Sequence, residues 1–182
     1  MKILLTGSTG LLGSALCPAL RDAGHHVRAM TRLTSSTDLV DMRDVQQIRG
    51  NVLEPESLLE AVRGQEVIIH AVASILDRDV EAVRRVNVDG TFHLLDAVRT
   101  HGHPDARFIY ISSITAGGYG TSQTPLDERM KPRPATQYGR TKLEAEELVK
   151  EHGRNHRAVS LRLCTLYGPR DRFFPVLYRL ID

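Results

Sequence analysis

The amino-acid sequence predicts an α/β fold, a doubly wound parallel sheet of about six strands with helices on both faces. The first observation is that short apolar runs rich in β-branched residues alternate with amphipathic stretches of helical period. The second is that right-handed crossovers between such strands bring helices onto both faces of one sheet. The third is the length of 182 residues, which suits one compact domain over 1–182.

The first half of the chain is punctuated by residues that begin or end helices. Gly24 closes the first predicted helix, since glycine is common just past a helix end. Pro55 stands at the start of the second helix, where its missing N–H would have no partner in any case. Pro18 lies inside the first helix and should kink it or remove one hydrogen bond. The elements are a strand at 2–6, a helix at 11–24, strands at 26–32 and 45–52, and a helix at 55–64.

The second half continues the alternation, with one long irregular stretch at 116–135 that is rich in Gly, Pro, Thr and Ser. Gly90 within a helix predicts close packing against a neighbouring element. Glu146 and Lys150 are four residues apart and are predicted to pair on one helix face. The elements are a strand at 66–73, a helix at 81–102, a strand at 107–113, a helix at 136–153 and a strand at 158–164.

The composition excludes several classes of protein. The net charge is +2 and the basic residues are scattered, so we expect no nucleic-acid partner and no membrane partner. No run reaches the roughly 18 apolar residues of a membrane helix, and glycines interrupt the apolar N-terminus where a signal peptide needs its core. Cys17 and Cys164 lie far apart, and neither they nor the 8 histidines form a metal-ligand pattern. We therefore expect no metal site and a cytoplasmic location.

The strongest functional signal is the glycine pattern that follows the first strand. Gly7, Gly10 and Gly13 recur at three-residue intervals between a predicted strand and a predicted helix. A helix N-terminus carries unpaired N–H groups and about half a unit of positive charge, so it binds phosphate. Glycines let the turn close, let backbone approach a pyrophosphate and let the helix pack on the strand. The pattern predicts dinucleotide binding, with a plain tight turn as the alternative.

The same residues carry a family resemblance. The segment TGSTGLLG at 6–13 resembles the signature of the extended short-chain dehydrogenase/reductase family, the NAD(P)-dependent epimerases and dehydratases, which have the Rossmann fold. The resemblance implies that Thr9, Leu11 and Leu12 contact the cofactor together with the three glycines.

The end of the second strand indicates which nucleotide is bound. An enzyme specific for NAD usually has Asp or Glu there to bind the ribose 2′-hydroxyl. This chain has Arg32 followed by LTSST, and a guanidinium with several hydroxyls suits a 2′-phosphate. We therefore expect NADP, with NAD as the less favoured cofactor. The resemblance also implies cofactor contacts at Asn51, Val52, Ala71, Val72 and Ala73.

The candidate catalytic residues begin with Tyr138 and Lys142, which lie four residues apart on one face of a predicted helix. A tyrosine has a pKa of about 10, and a nearby ammonium would lower it and so favour proton exchange with a substrate oxygen. The same lysine could hold the nicotinamide ribose. The resemblance aligns Ser113 with the family's catalytic Ser or Thr, and Ser112 or Thr115 is the fallback.

Two further segments complete the resemblance. The segment RRVNVDGTFHLL places Asn87 where the family has an asparagine that fixes the helix backbone and a water chain towards the lysine. After the sixth strand, Leu163 and Cys164 stand near the family's Arg-Pro and Tyr-Gly-Pro motifs, with Leu163 in place of the usual proline. They are implied to lie near the nicotinamide. The segment YGPRDRFFPVL resembles the hydroxysteroid dehydrogenase and flavonoid reductase branch.

Two functional hypotheses follow. In the first, the chain is the catalytic half of an NADP-dependent reductase, dehydrogenase or epimerase that acts on a small molecule, because Ser113, Tyr138 and Lys142 are all present. In the second, it is an NADP(H)-binding module or sensor without turnover, because the family's carboxyl-terminal substrate domain is expected to be absent or truncated. The helices at 81–100 and 135–152 resemble the family's dimer face, and their exposed sides are expected to carry Leu, Val and Ala, so we expect a homodimer.

Overall fold

The computed structural model describes residues 1–38, 40–75, 79–121, 123–168 and 171. These residues form a six-stranded sheet with the order β3-β2-β1-β4-β5-β6, in which every pair is parallel. The strands are β1 (Lys2–Thr6), β2 (His26–Thr31), β3 (Gln46–Arg49), β4 (Val67–His70), β5 (Arg107–Ser113) and β6 (Arg157–Leu163). The prediction of a doubly wound Rossmann sheet is confirmed, and its strand order reverses between β1 and β4.

The helices pack on both faces of the sheet, as predicted. The helices are α1 (Leu11–Asp22), α2 (Glu56–Val62), α3 (Val80–Arg84), α4 (Gly90–His101), α5 (Ile114–Gly117) and α6 (Gln137–His152). One apolar core lies between the sheet and α2, α4 and α6, around Phe108, Leu94 and Val149. The other lies under α1, around Cys17 and Val27. The β4 strand between them is buried along its whole length, as expected of a central parallel strand.

The region 81–102, predicted as one helix, is divided in three. Between α3 and α4 the backbone forms a π-helical turn, Arg85–Asp89. Such a turn widens the helix by one residue and often occurs at functional sites. This one contains Asn87, which is buried. Hydrophobic periodicity cannot reveal a single extra residue, and so the sequence predicted a continuous helix here.

Two packing predictions had opposite outcomes. A Cβ atom on Gly90 would lie 2.7 Å from a methyl group of Val52, so the predicted close approach is confirmed. The predicted pair of Glu146 with Lys150 is wrong. Lys150 lies near Glu147, whereas the Glu146 carboxylate binds Arg162 on β6. The reason is that Glu146 is on the buried face of α6, where β6 offers a guanidinium.

Among the helices of the described residues, none combines the length and the hydropathy that a membrane span requires.

Candidate functional site

The predicted site residues gather at the carboxyl edge of the sheet. All six strands are parallel, so their carboxyl ends meet on one side, where ligands of such sheets bind. Each strand or the loop after it contributes one position at this edge. They are Gly7 after β1, Arg32 after β2, Asn51 after β3, Ala71 after β4, Ser113 at the end of β5 and Leu163 at the end of β6.

The glycine turn is closed by direct backbone packing. Gly7 has φ +72°, and a Cβ atom there would lie 2.6 Å from the carbonyl oxygen of Ala71. A Cβ atom on Gly13 would lie 2.1 Å from the carbonyl oxygen of Gly7. The amide of Gly10 donates to that same oxygen at 3.0 Å. Gly7 and Gly13 are therefore required by packing, and the turn brings Ala71 beside the first loop.

The start of α1 is suited to an anion. Gly10 precedes this 12-residue helix and caps it with no side chain, and its first turn has no acidic residue. The amides of the first turn, on Leu11, Leu12 and Gly13, have no carbonyl partner within the helix. They lie beside Thr9, which is half-buried. Side chains in place of Gly7 and Gly13 would collide with the backbone of this turn. The turn therefore leaves the first N–H groups of α1 accessible, which suits the pyrophosphate of a dinucleotide.

The end of β2 holds Arg32 in an exposed position. The backbone here is fixed by Arg49, whose Nη1 donates to the hydroxyl of Thr31 and to the carbonyl of Arg32, each at 3.0 Å. Within the described ranges, the Arg32 side chain makes no hydrogen bond or ion pair. Its guanidinium is therefore available to an anion, and the nearest acidic residue that follows in sequence is Asp38.

Asn51 and Val52 are engaged within the protein. The Asn51 Nδ2 donates to Glu54 at 2.9 Å, and its Oδ1 accepts from the amide of Leu53 at 3.1 Å. Both polar atoms thus hold the turn that leads into α2. Val52 is buried against Gly90. Their contact with adenine stays a prediction.

Asn87 joins three elements. Its Oδ1 accepts from the amide of Ser74 at 2.8 Å, and its Nδ2 donates to the carbonyl of Ser74 at 2.9 Å. The Nδ2 also donates to the hydroxyl of Thr141 at 2.9 Å. That hydroxyl donates to the carbonyl of Tyr138. Asn87 therefore ties the loop that contains Ala71–Ala73 to the helix that carries Tyr138.

The structure separates the three candidate hydroxyl groups after β5. Ser112 is 4% exposed and its hydroxyl donates to Glu146, so it is committed to the interior. Ser113 is half-buried and its Oγ accepts from the hydroxyl of Thr115 at 2.9 Å. Ser113 also caps the short helix α5. The hydroxyls of Ser113 and Thr115 are thus hydrogen-bonded to each other at the carboxyl edge, whereas that of Ser112 is bonded to Glu146.

Tyr138 and Lys142 share a face of α6, but the lysine is directed at β5. The Lys142 ammonium donates to the carbonyl of Ile111 at 2.7 Å and lies 4.1 Å from the ring centroid of Tyr110. Burial lowers the pKa of Lys142 to about 7. Burial also raises the pKa of Tyr138, so the expected lowering by Lys142 is not met in this arrangement. The catalytic roles of both residues stay predictions.

Sequence reasoning missed Glu146. This residue is 9% exposed and lies one turn after Lys142 and two turns after Tyr138 on the same helix face. The signal was present, since spacings of four and eight residues align side chains along a helix. The predicted pair with Lys150 placed Glu146 on the exposed face of the helix, and so its buried position was not expected.

Sequence reasoning also missed His70, the last residue of β4. It is fully buried, with Nδ1 2.7 Å from the hydroxyl of Thr6 and Nε2 3.1 Å from that of Thr91. Thr91 donates to the carbonyl of Asn87. The Thr91 oxygen therefore accepts from Nε2–H of a neutral ring, and Nδ1 accepts from Thr6. Burial lowers the pKa of His70 to about 3.

The remaining predicted residues lie at the end of β6. Leu163 is half-buried as the last residue of the strand, and Cys164 is exposed directly after it. Cys164 and the buried Cys17 are both free thiols. Among the residues that the structure describes, no group of His, Cys, Asp and Glu could hold a metal ion. The segment YGPRDRFFPVL falls almost wholly outside the described residues.

The premise of the predicted dimer face needs correction. On α6 the Leu, Val and Ala side chains are buried or half-buried, and the exposed positions are polar. On α4 the exposed large apolar side chain is Phe92. A homodimer through 81–100 and 135–152 stays a prediction, without the apolar surface that was expected to support it.

Three comparisons relate this arrangement to known proteins. The family model of the NAD dependent epimerase/dehydratase family matches residues 3–181. The chain is 33% identical to the 2-alkyl-3-oxoalkanoate reductase of Stenotrophomonas maltophilia, over 94% of this chain and 53% of that protein. It is 30% identical to the UDP-glucose 4-epimerase of Corynebacterium glutamicum, over 92% of this chain and 52% of that protein.

A solved structure of a protein with a similar sequence also resembles this chain in its fold. The UDP-glucuronic acid 4-epimerase from Bacillus cereus in complex with NAD superposes with a TM-score of 0.82 and 30% identity, over 94% of this chain and 58% of that one. The chain spans about half the length of the curated relatives it matches.

Proposed function

The chain belongs to the NAD-dependent epimerase/dehydratase family, and we propose that it forms the nucleotide-binding half of an NADP-dependent enzyme. The enzyme is an oxidoreductase or an epimerase/dehydratase that acts on a hydroxyl or carbonyl group of a small molecule. The observation that carries the proposal is the glycine turn. Gly7 and Gly13 admit no side chain, and the turn presents the free amides of α1 at the point where the strand order reverses.

The preference for NADP rests on Arg32. Its exposed guanidinium follows β2 directly, and positions 32–37 contain no Asp or Glu that could bind a ribose 2′-hydroxyl. A 2′-phosphate carries negative charge and several acceptor oxygens, which a guanidinium can bind through two hydrogen bonds. The Bacillus cereus relative is described with NAD, so the choice between the two cofactors is the sharpest part of the proposal to test.

The catalytic part of the proposal assigns roles to four residues. Nicotinamide, when bound, supplies or accepts the hydride. Tyr138 exchanges a proton with the substrate oxygen, and Ser113, whose hydroxyl is joined to that of Thr115, orients that oxygen. Lys142 supplies a positive charge one helical turn from Tyr138. Asn87 fixes the position of α6 through Thr141.

Binding of NADPH and NADH to the purified chain tests the cofactor assignment. We expect NADPH to bind more tightly, and Arg32→Asp to weaken NADPH at least about tenfold while it leaves NADH unchanged or improved. Arg157→Asp is the matched control, because this exposed arginine begins β6 at the opposite edge of the sheet. Equal binding of both nucleotides in the wild type and in Arg32→Asp would refute the NADP preference.

A non-catalytic NADP(H)-binding module is the second candidate. It is favoured by one observation, the Lys142 ammonium bound to the carbonyl of Ile111 rather than directed at Tyr138. Replacing Tyr138 by Phe separates the two. Loss of ketone-dependent NADPH oxidation with unchanged NADPH affinity supports the enzyme. NADPH binding without turnover in the wild type, over a panel of small ketones and hydroxy compounds, supports the module.

A further inference from the structure

A buried carboxylate lies on α6, one helical turn after Lys142 and two turns after Tyr138. Glu146 on α6 is 9% exposed. Its Oε1 accepts from Arg162 Nε at 2.9 Å, and its Oε2 accepts from Arg162 Nη2 at 2.7 Å. The hydroxyl of Ser112 also donates to Oε1. A carboxylate whose two oxygens both accept from a guanidinium, and one of which also accepts from a hydroxyl, is held rigidly.

The strand register explains why these partners meet. Ser112 on β5 and Arg162 on β6 are direct neighbours across the two strands. The residue before Ser112 is Ile111, whose carbonyl accepts the Lys142 ammonium at 2.7 Å. One short piece of β5 therefore anchors the carboxylate through Ser112 and the ammonium through Ile111. The next residue of the strand is Ser113, the residue proposed above to orient the substrate oxygen.

The Lys142 ammonium needs an anion nearby to remain charged. Its side chain is almost fully buried, and burial favours the neutral amine. Tyr110 on β5 presents a ring face, and its pKa is raised by burial, so its hydroxyl carries no charge at neutral pH. The buried His70 on β4 is neutral as well.

On α6 itself, Tyr138 lies one turn before Lys142 and Glu146 one turn after it. Burial raises the pKa of Tyr138, so it too carries no charge at neutral pH. From β6, Arg162 adds a positive charge, which Glu146 binds. Among the described residues around the ammonium, Glu146 is the carboxylate whose charge raises the pKa of Lys142 and so offsets part of the cost of burial.

We propose that Glu146 is a positioning residue that favours the charged form of Lys142 and keeps it seated against β5, and that Arg162 and Ser112 hold Glu146 in place for this purpose. The proposal rests on the function proposed above, in which Lys142 serves the proton exchange at Tyr138. It links Arg162, next to Leu163 at the end of β6, to the protonation state of Lys142 on α6.

Titration of Lys142 by NMR tests the proposal. With 13C-labelled lysine, the Lys142 signal is identified by its loss in Lys142→Arg and followed from pH 5 to pH 11. We expect Glu146→Gln to lower the pKa of Lys142 by about one unit, a tenfold change in acidity. Glu146→Asp keeps the charge and is expected to restore most of that pKa. Glu147→Gln, on the exposed face of the same helix, is the control that leaves it unchanged.

A double variant distinguishes the carboxylate from the guanidinium that it leaves behind. In Glu146→Gln with Arg162→Gln, both charges are gone, and we still expect the pKa of Lys142 to lie below that of the wild type. A return to the wild-type value, or an unchanged value in Glu146→Gln alone, would overturn the proposal. NADPH binding is measured on the same samples. A chain that binds no nucleotide refutes the proposed function but does not alter the Lys142 titration.

Discussion

The two sides of the carboxyl edge differ in the kind of group that forms the candidate site, backbone on one side and side chains on the other. Beside β1, the site consists of backbone, namely the Gly7 turn and the first amides of α1. On the side of β5 and β6, it consists of side chains from distant parts of the chain, among them the buried Lys142 and Glu146. Backbone amides do not titrate, whereas a buried lysine with a pKa of about 7 does.

This difference separates two kinds of sensitivity. The backbone side depends on space, since a single added carbon atom would collide with a carbonyl oxygen. The side-chain side depends on charge, because burial favours the neutral form of each ionisable group and hydrogen bonds hold the groups in place. Substitutions on the first side should therefore act through packing, and those on the second through the pH dependence of stability.

The largest effect is expected on the backbone side. Gly7→Ala is expected to lower the free energy of unfolding by roughly 2–4 kcal/mol and NADPH affinity at least about tenfold, from strain and overpacking. Gly24→Ala is a matched control, because Gly24 has φ +82° but nothing within 4 Å of an added Cβ. It should lose only about 1–2 kcal/mol and keep nucleotide affinity. Urea unfolding and NADPH titration check both variants, and equal losses would contradict the contact with Ala71.

The next effect has the opposite sign and lies on the side-chain side. Lys142→Met is expected to raise the free energy of unfolding by about 1–4 kcal/mol at pH 6, because the native state no longer buries an ammonium. The folded pKa of Lys142 is about 7, below its ordinary value of 10.5, so the native chain binds fewer protons between these values. Wild-type stability from this group therefore rises with pH across that window.

The increase in the free energy of unfolding of Lys142→Met should accordingly become smaller as the pH approaches 10.5. Urea unfolding at pH 6 and pH 9 measures it. Lys150→Met, at a position whose side chain is 74% exposed on the same helix, should change stability little at either pH. A destabilised Lys142→Met at pH 6 would show that the buried ammonium is worth more than its burial costs.

A smaller effect is expected from His70. Its folded pKa of about 3 lies below the ordinary 6.5, so the stability it contributes is present above pH 6.5 and is lost as the pH falls towards 3. The expected slope is about 1.4 kcal/mol per pH unit. Between pH 7 and pH 5, the free energy of unfolding, measured with urea, should fall more steeply in the wild type than in His70→Gln. The exposed His101→Gln should follow the wild type, and parallel curves for all three would exclude His70 as the source.

The smallest effect tests the tie between the two sides. Thr141→Val removes one acceptor of Asn87 and leaves the other, the carbonyl of Ser74, in place. The free energy of unfolding is expected to fall by about 1–2 kcal/mol, the cost of one buried donor left unpaired. Thr100→Val is the control, since its hydroxyl bonds a carbonyl at the exposed end of α4. A loss no larger than in the control would mean that Asn87 finds another partner.

The features of the candidate site that could be predicted are those set by residues close together in sequence. The spacing of Gly7, Gly10 and Gly13 predicts a phosphate turn because a strand, a turn and a helix are adjacent in sequence. The spacing of Tyr138 and Lys142 placed both on one helix face for the same reason. The direction of the Lys142 side chain could not be predicted, since the carbonyl of Ile111 comes from another element.

By itself, the sequence determined the parallel sheet, its helices, the glycine turn and the set of residues at the carboxyl edge. Periodicity, β-branched runs and glycine spacing act over a few residues, so they can be read along the chain. Only the tertiary structure decided the π-helical turn at Asn87, the neutral buried His70 and the partner of Glu146. Each of these depends on which distant group occupies the neighbouring position in the core, and β6 brought Arg162 to Glu146 where the helix alone offered Lys150.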